Sequence, residues 1–358
     1  MGVSDRADSV KAKRISGRDV LLRLVGLVVV AAVLWLLFTR LVSWSEVVDA
    51  MAGLDAADWA LLVLVAVVRI AIEPLLLMAC TPKLKWSLAL PGFLAPAATA
   101  SVVPGPTDVA ARYAMYRSWG YSGAQTSDSV ILVFLYGTFA KVGLPVVAAL
   151  VFFAFGRSDA ELETLAIIAG GVLVGGVFLI YLLLRSEEVA RRLGHAAGKG
   201  AQRRAGWFRI KTPETLAADL ADRAVHFRDK TGDVVRTRTH LATGAAAFAQ
   251  AALFAILLVS VRVVGIGADQ LDWIALLAAF ALVQLLTSVP ITPSGLGVAE
   301  AAYVALLTAE SNTDLASQVA AAAIIYRLFS WVIIVPLGGI AWLWWTRSRK
   351  STASVGQE

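Results

Sequence analysis

Cysteine, histidine and charge are all scarce in this chain of 358 residues. It holds one cysteine, Cys80, and three histidines, which excludes an internal disulfide and a cysteine-based metal cluster. We therefore predict neither a metal site nor a cofactor. Only 16% of the residues are charged and 58% are hydrophobic, whereas about a quarter of the residues in a soluble protein are charged. This composition predicts a helical polytopic membrane protein.

Motifs for catalysis and for nucleotide binding are absent as well. The chain contains no Walker loop, HExxH, CxxC or serine elbow, and Gly295-x-Gly297 lacks the strand and the third glycine of a dinucleotide-binding loop. We therefore expect a protein that is not an enzyme. The formal net charge is +6, but the basic residues are not arranged as the soluble face that nucleic acid needs, so no nucleic-acid partner is expected.

Long apolar runs, in contrast, are abundant. Positive residues mark the cytoplasmic side of a membrane protein, and the segments that we place inside hold 24 Lys and Arg against 3 in the outer segments. Both termini are therefore predicted on the cytoplasmic side of the cell membrane, with the first run retained as a span. The six runs near the ~20 residues that cross a bilayer are 20–39, 57–80, 124–155, 164–184, 241–264 and 316–345.

Two further apolar stretches, 88–103 and 273–289, are interrupted by proline and glycine. Each is followed by a second short helical piece, at 107–119 and 296–308. An unpaired backbone group in hydrocarbon costs several kcal/mol, so broken backbone is tolerated only inside protein or along a wet cavity. The stretches predict two re-entrant hairpins. Their predicted cavity and hinge residues are Pro104, Pro106, Pro290, Pro293, Gly295 and Gly297.

The two broken hairpins resemble each other in sequence. Residues 101–117 read SVVPGPTDVAARYAMYR and residues 288–304 read SVPITPSGLGVAEAAYV. Each half of the chain then reads span, span, broken hairpin and a long span with a lone cation, which predicts an inverted-topology repeat. The predicted segments are a basic cytoplasmic N-terminus (1–19), a first repeat (20–158), a second repeat (159–346) with a cytoplasmic amphipathic loop (185–240), and a cytoplasmic tail (347–358).

Charged side chains within the predicted spans and hairpins form the candidate site. Each costs about 2.5–3.5 kcal/mol at the bilayer centre, so such residues usually face a cavity or a partner. Arg69 and Glu73 lie four residues apart and are predicted to form a structural ion pair. The candidate substrate-binding residues are Asp108, Arg112, Lys141, Glu300 and Arg327.

Two interpretations of these candidates stand side by side. In the structural one, Asp108–Arg112 and Glu300–Arg327 pairs lock the hairpins to the long helices. In the functional one, the excess of positive charge and the free N–H groups of two helix N-termini form a water-lined groove for a phosphate or another anion.

Three motifs carry a resemblance to a known family. They are Pro104-Gly105-Pro106-Thr107-Asp108 through Arg112, the pattern Pro293-x-Gly295-Leu296-Gly297-x-x-Glu300, and Tyr326-Arg327. On these motifs the chain resembles the transmembrane, flippase-like domain family of lysylphosphatidylglycerol synthases. The family helix after the first motif often carries a Glu-Arg pair and a later aspartate. Here it reads LVFLYGTFAKVGL, with Lys141 as its only charge, a departure that bears on the identity of the substrate.

The resemblance implies a lipid-translocating role. We expect a transporter that passes an anionic or phosphate-bearing lipid or glycolipid between leaflets. The soluble aminoacyl-transferase domain of the synthases has no counterpart in these residues, so the lipid would be made by a separate enzyme. Two alternatives remain: a small-solute or ion secondary transporter that uses the same midplane cavity, and a membrane enzyme that acts on a lipid phosphate.

Overall fold

The described part of the chain is helical throughout. The computed structural model describes residues 48–49, 51–102, 107–157, 160–207, 215–288, 297–310 and 315–354. These residues form α-helices and one π-helical turn, and no strand occurs among them. The predicted first span, 20–39, and the N-terminal segment 1–19 lie outside the described ranges.

The helices follow the predicted apolar segments, and we number them in chain order. They are α1 (Ala56–Cys80), α2 (Trp86–Val102), α3 (Thr107–Ser118), α4 (Gly123–Ala154), α5 (Ala160–Arg185), α6 (Glu187–Trp207), α7 (Leu216–Val263), α8 (Trp273–Leu286), α9 (Val298–Glu310), α10 (Ala316–Arg327), the π-helical turn Leu328–Val332, and α11 (Ile334–Ser354).

Four of these segments are long and apolar enough to cross a membrane. They are α1, α4, the apolar part of α7 (Thr237–Val263) and the run from α10 into α11 (Ala316–Ser348). The large apolar side chains of α5 are mostly exposed, among them Ile167 and Val174, as expected of a helix whose outer surface meets lipid. The prediction of an all-α polytopic membrane protein is confirmed.

The described parts of the polar segment 185–240, residues 185–207 and 215–240, are also largely helical. It contains α6 and the first part of α7, and these two helices pack against each other. Helix α7 then continues without a break into the apolar segment, over 48 residues in total, or about 70 Å at 1.5 Å per residue.

The two predicted hairpins each consist of a pair of short helices in contact, α2 with α3 and α8 with α9. The second arms, α3 and α9, have 12 and 13 residues. At 1.5 Å per residue they are about 18 and 20 Å long, shorter than the ~30 Å hydrocarbon layer. The described helix of each second arm is therefore too short to cross the membrane alone.

Helix α2 corrects one expectation. We expected Pro91 and Pro96 to interrupt it, but both lie inside an unbroken helix of 17 residues. Neighbouring helices in a membrane protein can compensate for the hydrogen bond that a proline removes, and α2 packs closely on α11. A Cβ atom on Gly338 of α11 would collide with the Ala98 side chain and the Leu94 carbonyl, so glycine is required at this contact.

Apolar side chains bury two cores. The larger core lies between α1, α4 and the helices α7 to α10, and it includes the fully buried alanines of α10, Ala320–Ala322. Small residues let helices approach closely where lipid provides no hydrophobic driving force. The second core lies between α1, α2, α3 and α11, around the buried Met115 and Tyr116. The two cores together fix the hairpins against the long helices.

Asp272 fastens the start of α8 to the end of α4. It is the N-cap of α8, and its carboxylate accepts hydrogen bonds from Ile274 N at 2.9 Å and Ala275 N at 2.8 Å. It also forms an ion pair with Arg157. Partial burial alone would raise the pKa of Asp272, but the hydrogen bonds and the positive charge of Arg157 outweigh it and hold this pKa below its ordinary value.

We predict that Asp272→Ala lowers the thermal unfolding midpoint in detergent at pH 7. Loss of an N-cap costs about 1 kcal/mol, and a partly exposed ion pair adds up to about 1 kcal/mol. Because the folded-state pKa is lowered, the contribution is complete above the ordinary carboxyl pKa of about 4. It should disappear as the pH falls through the lowered value. The exposed Glu163 provides the control, Glu163→Ala, and equal midpoints for the two variants would contradict this role.

Candidate functional site

The described residues include most of the predicted site. Asp108, Arg112, Lys141, Glu300 and Arg327 all lie in described helices, as do Arg69 and Glu73. Gly297 is described as well, with a positive φ of 79°. The remaining predicted cavity and hinge residues lie outside the described ranges; they are Pro104, Pro106, Pro290, Pro293 and Gly295.

Glu300 binds both a cation and the start of its own helix. Its Oε1 accepts a hydrogen bond from Arg327 Nε at 2.5 Å, and its Oε2 accepts one from Gly297 N at 2.7 Å. The two side chains of the ion pair are only 10% and 14% exposed. The carboxylate thus neutralises a guanidinium and satisfies one of the N–H groups that a helix start leaves free. This contact locks α9 to α10, as the structural interpretation expects.

Arg69 connects α1 to two other parts of the molecule and binds Glu73 within α1. It is 6% exposed, and its Nη2 donates to Glu73 Oε1 at 3.1 Å, which is the predicted ion pair. Its Nη1 donates to the Ser330 carbonyl in the π-helical turn at 2.5 Å. Its guanidinium carbon lies 5.8 Å from the centroid of the Phe93 ring in α2. Its Nε is buried without a hydrogen-bond partner.

The π-helical turn directly follows Arg327. Ile333 N donates to the Leu328 carbonyl at 3.0 Å, the i to i−5 bond that widens the helix. The ring of Tyr326, one turn before Ser330, packs edge-on against the ring of Tyr303, with the two ring centroids 5.4 Å apart. Polar groups of α9, α10 and α1 therefore meet at this turn.

Lys141 points toward the protein interior without a partner. It shares a face of α4 with the buried Leu144 and Ala148, three and seven residues further on. Glu73 and Arg69 are the charges that act on its ammonium group. Among the described residues, no hydrogen bond or ion pair reaches Lys141.

Open space lies beside Lys141. Gly137 is one turn earlier on the same face of α4, and a Cβ atom built there would meet nothing within 4 Å. Gly143 is equally open, but it lies on the opposite face, with the exposed Val147 and Leu150. The interior face of α4 therefore has room next to its one cation.

Arg112 is the second embedded cation without a counter-charge. It lies on α3 one turn before the buried Tyr116, and its charge acts on Tyr116 and on Cys80. Its Nε is buried without a hydrogen-bond partner. Asp108 lies one turn earlier, yet the described residues contain no ion pair between the two. The structural interpretation of an Asp108–Arg112 pair therefore receives no support.

Helix α1 relates the two unpaired cations in space. Arg69, Glu73 and Cys80 lie four and seven residues apart, a spacing that places them on one face of a helix. Lys141 interacts electrostatically with Glu73, and Arg112 with Cys80. Seven residues of helix rise about 10 Å, so Glu73 and Cys80, with which the two cations interact, lie at successive levels along α1.

Some residues of this region were not predicted. A shallow depression lies between α1, α4 and α7 at the Cys80 end of α1, with Tyr136 and Arg238 in its wall. Arg238 was counted only as a loop charge. Gly137 could have been predicted from the sequence, because a glycine one helical turn before a lone lysine leaves that face of the helix without a side chain next to the lysine. No sequence pattern could have identified Ser330, because this residue binds Arg69 through its backbone carbonyl and not through its side chain. No group of metal-ligating residues occurs in the described ranges.

Comparison with known proteins agrees with this architecture. The model of the family described as lysylphosphatidylglycerol synthase TM region matches residues 23–338. A search of curated proteins gave no match. The family match spans most of the chain, including both hairpins and every candidate site residue. The resemblance inferred from the Pro293–Glu300 and Tyr326-Arg327 motifs is therefore confirmed, and the chain belongs to the lysylphosphatidylglycerol synthase transmembrane-region family.

Proposed function

We propose that this protein moves an anionic or phosphate-bearing lipid, glycolipids included, between the two leaflets of the cell membrane, and that it acts as a transporter and not as an enzyme. One observation carries the proposal. Arg112 and Lys141 are embedded, partly buried cations, and neither has a hydrogen-bonded counter-charge among the described residues.

The energetic argument is that an embedded cation needs compensation. A Lys or Arg at the bilayer centre costs about 2.5–3.5 kcal/mol on insertion scales. Glu73 offsets this cost for Arg69, and Glu300 offsets it for Arg327. Arg112 and Lys141 make no comparable ion pair. A phosphate group that binds between them would provide the missing negative charge, and the open space beside Gly137 provides room for it.

An amphiphile fits the position of Arg112 better than a small solute does. Helix α3 buries Ala111 and Met115, while Val109 and Tyr113 on its other side are 36% and 39% exposed. Arg112 lies at the boundary between these two faces. A lipid can place its phosphate at this boundary and keep its acyl chains along the exposed side of the helix, whereas a small solute requires a sealed pocket.

The packing pattern supports the inverted-repeat part of the proposal. Helix α1 corresponds to α7, the α2–α3 hairpin to α8–α9, and α4 to the α10–α11 run. The contacts follow this correspondence. Helix α1 packs on its counterpart α7. The contact of α2 with α11 corresponds to that of α8 with α4, and the contact of α3 with α4 corresponds to that of α9 with α10. Transporters with inverted repeats bind substrate near the midplane between the two halves. Arg112 and Lys141 belong to one half, and Glu300 and Arg327 to the other.

The proposed orientation follows from the basic residues. The Cys80 end of α1 connects to segment 81–87. If α4 and α5 both cross the membrane, the polar segment 185–240 lies on the same side of the membrane as segment 81–87. These segments are rich in Lys and Arg, which places them in the cytoplasm. Both termini then lie inside, and the substrate comes from a separate lipid-synthesising enzyme.

We predict that Arg112→Ala and Lys141→Ala each slow the redistribution of a fluorescent anionic phospholipid in proteoliposomes. The expected decrease is roughly tenfold or more, because a hydrogen bond to a charged group is worth about 1.5–3 kcal/mol. Accessibility of the fluorophore to an added membrane-impermeant quencher measures the rate. Lys85→Ala, in the loop before α2, is the matched control and should keep the wild-type rate.

The same vesicles separate lipid transport from small-solute transport. If wild type moves the lipid no faster than empty vesicles, the lipid proposal is wrong. Release of an entrapped small anion by that inactive protein would then favour the alternative, a small-solute or ion secondary transporter.

A second prediction tests the space beside Lys141. Gly137→Leu should fill it and slow lipid redistribution, while Gly143→Leu, on the lipid-facing side of the same helix, should leave the rate unchanged. Both substitutions replace a glycine inside a helix with a better helix former, so neither should lower the unfolding midpoint. Equal transport rates for the two variants would show that the headgroup does not pass this face of α4.

A further inference from the structure

Arg238 of α7 lies in the wall of the shallow depression between α1, α4 and α7, together with Tyr136 of α4 and Cys80 of α1. Its side chain is part-buried, and its Nη1 donates to the Met78 carbonyl at 3.4 Å. The chain segments that the structure describes give Arg238 no ion pair and no second hydrogen bond. A guanidinium has five N–H donors in a planar fork. None of its nitrogen atoms is both buried and without a partner, so the unused donors are accessible to a ligand.

The Tyr136 hydroxyl is the second donor in this depression. It lies 2.8 Å from Thr239 Oγ1, and the Thr239 hydroxyl itself donates to the Val235 carbonyl. The proton in the bond between the two hydroxyls therefore comes from Tyr136. Rotation about the C–O bond of the tyrosine can turn this proton toward a ligand oxygen, because Thr239 keeps its own bond to Val235. The described wall contains no acid that would compete for these donors.

The depression lies at the boundary between the polar and the apolar part of α7. The apolar part begins at Thr237, one residue before Arg238. Leu241 and Phe248 of the same helix are 53% and 66% exposed. They follow Arg238 by three and ten residues, a spacing that places both to the same side of it around the helix. Apolar surface that meets lipid therefore adjoins the guanidinium.

An anchoring role explains Arg238 only in part. Arginines near span ends extend toward the headgroup region, and a cation near the last carbonyls of α1 is favourable for the helix dipole. Both roles use the guanidinium as a point charge, for which a position on the outer surface of α7 suffices. Here it lies in a recess between three helices, beside a second donor. Basic recesses between membrane helices on the cytoplasmic side are typical binding places for anionic headgroups.

The embedded cations of the proposed function lie deeper than this depression in the proposed orientation. Lys141 follows Tyr136 by five residues of α4, a rise of about 7.5 Å. Arg112 lies four residues before Tyr116 on α3, about 6 Å nearer the turn of the hairpin. The Tyr116 hydroxyl is 3.5 Å from the Thr81 hydroxyl at the end of α1. In depth, a phosphate in the depression is thus one to two helical turns from either cation.

We propose that Arg238 and Tyr136 form an entry subsite, which binds the phosphate headgroup of an anionic lipid in the cytoplasmic leaflet before the headgroup reaches the deeper cations. The inference rests on the proposed function and on its orientation. The guanidinium donates to two phosphate oxygens at once, the geometry that its planar fork favours. The Tyr136 hydroxyl donates to a further oxygen, and the acyl chains lie along the lipid-facing side of α7.

The first test measures binding of a short-chain phosphatidylglycerol to the purified variant Arg112→Gln/Lys141→Gln, in which the deeper cations are removed. This variant should still bind the lipid. Addition of Arg238→Gln should weaken the binding about tenfold or more, because hydrogen bonds to a charged group are the strong ones. Addition of Tyr136→Phe should weaken it severalfold. The proposal is overturned if the variant with Arg238 intact binds no lipid.

Arg117→Gln, added to the same variant, is the matched control. Arg117 is an exposed cation near the same end of the molecule, and its Nη1 donates to the Tyr121 carbonyl at 2.7 Å. Its removal changes the net charge by the same amount and should leave the affinity unchanged. Equal losses with Arg117→Gln and Arg238→Gln would reduce the effect to general surface charge. Inorganic phosphate should bind more weakly than the lipid, and equal affinity for both would assign the depression to a free anion. Either result overturns the proposal.

A second test uses transport by the otherwise unchanged protein, and it remains decisive if the variant without the deeper cations does not fold. In proteoliposomes, Arg238→Gln should raise severalfold the mole fraction of anionic lipid that gives the half-maximal rate, as loss of substrate binding does. A half-saturating fraction equal to that of Arg117→Gln overturns the entry subsite.

The two tests separate this inference from the proposed function. Lipid that binds through Arg238 to a protein that moves no lipid contradicts transport alone. Lipid transport that does not depend on Arg238 contradicts the entry subsite alone.

Discussion

The Arg69 guanidinium donates to the Ser330 carbonyl and to Glu73 while it lies on the Phe93 ring. A buried charge loses its hydration, and this loss is repaid only when several hydrogen bonds replace it. The replacement partners here come from α1 itself, from the first hairpin and from the π-helical turn of the last span. The cost of burying Arg69 is therefore offset only when these elements are in their observed positions. Arg69 thereby ties α1 and the first hairpin to the π-helical turn that directly follows Arg327.

The embedded charges divide into two classes that their surroundings distinguish. Arg69 and Arg327 each bind a carboxylate and are buried, so the fold accounts for them. Arg112 and Lys141 make no such pair in the described part of the chain, and both lie where a helix changes from a buried to a more open surface. The number of embedded cations is therefore a poor guide to the site. Whether each cation has an ion-pair partner within the protein is a better guide to the site. A cation that is paired needs no anionic ligand, whereas an unpaired one still lacks a negative charge.

The sequence predicts those structural features of this protein whose physical cause lies within one continuous segment of the chain. The long helices were predictable because length and hydropathy are properties of continuous segments, and the Arg69–Glu73 pair was predictable because four residues make one helical turn. The same rule suggested an Asp108–Arg112 pair, which does not form, since helical spacing permits a contact without requiring it. The prolines of α2 were misread because the packing of α11 against that helix compensates for them. The position of Lys141 near Glu73 depends on how α4 packs against α1, which no local pattern encodes.

The carboxylates of the two buried ion pairs lower the net positive charge inside the molecule. Glu73 accepts a hydrogen bond from Arg69, and Glu300 accepts one from Arg327 and another from Gly297 N. Coulomb attraction is strong in a medium of low dielectric constant, so these pairs leave little charge on Arg69 and Arg327 for a ligand. Under the proposed function, the lipid phosphate would therefore interact with Lys141 and Arg112.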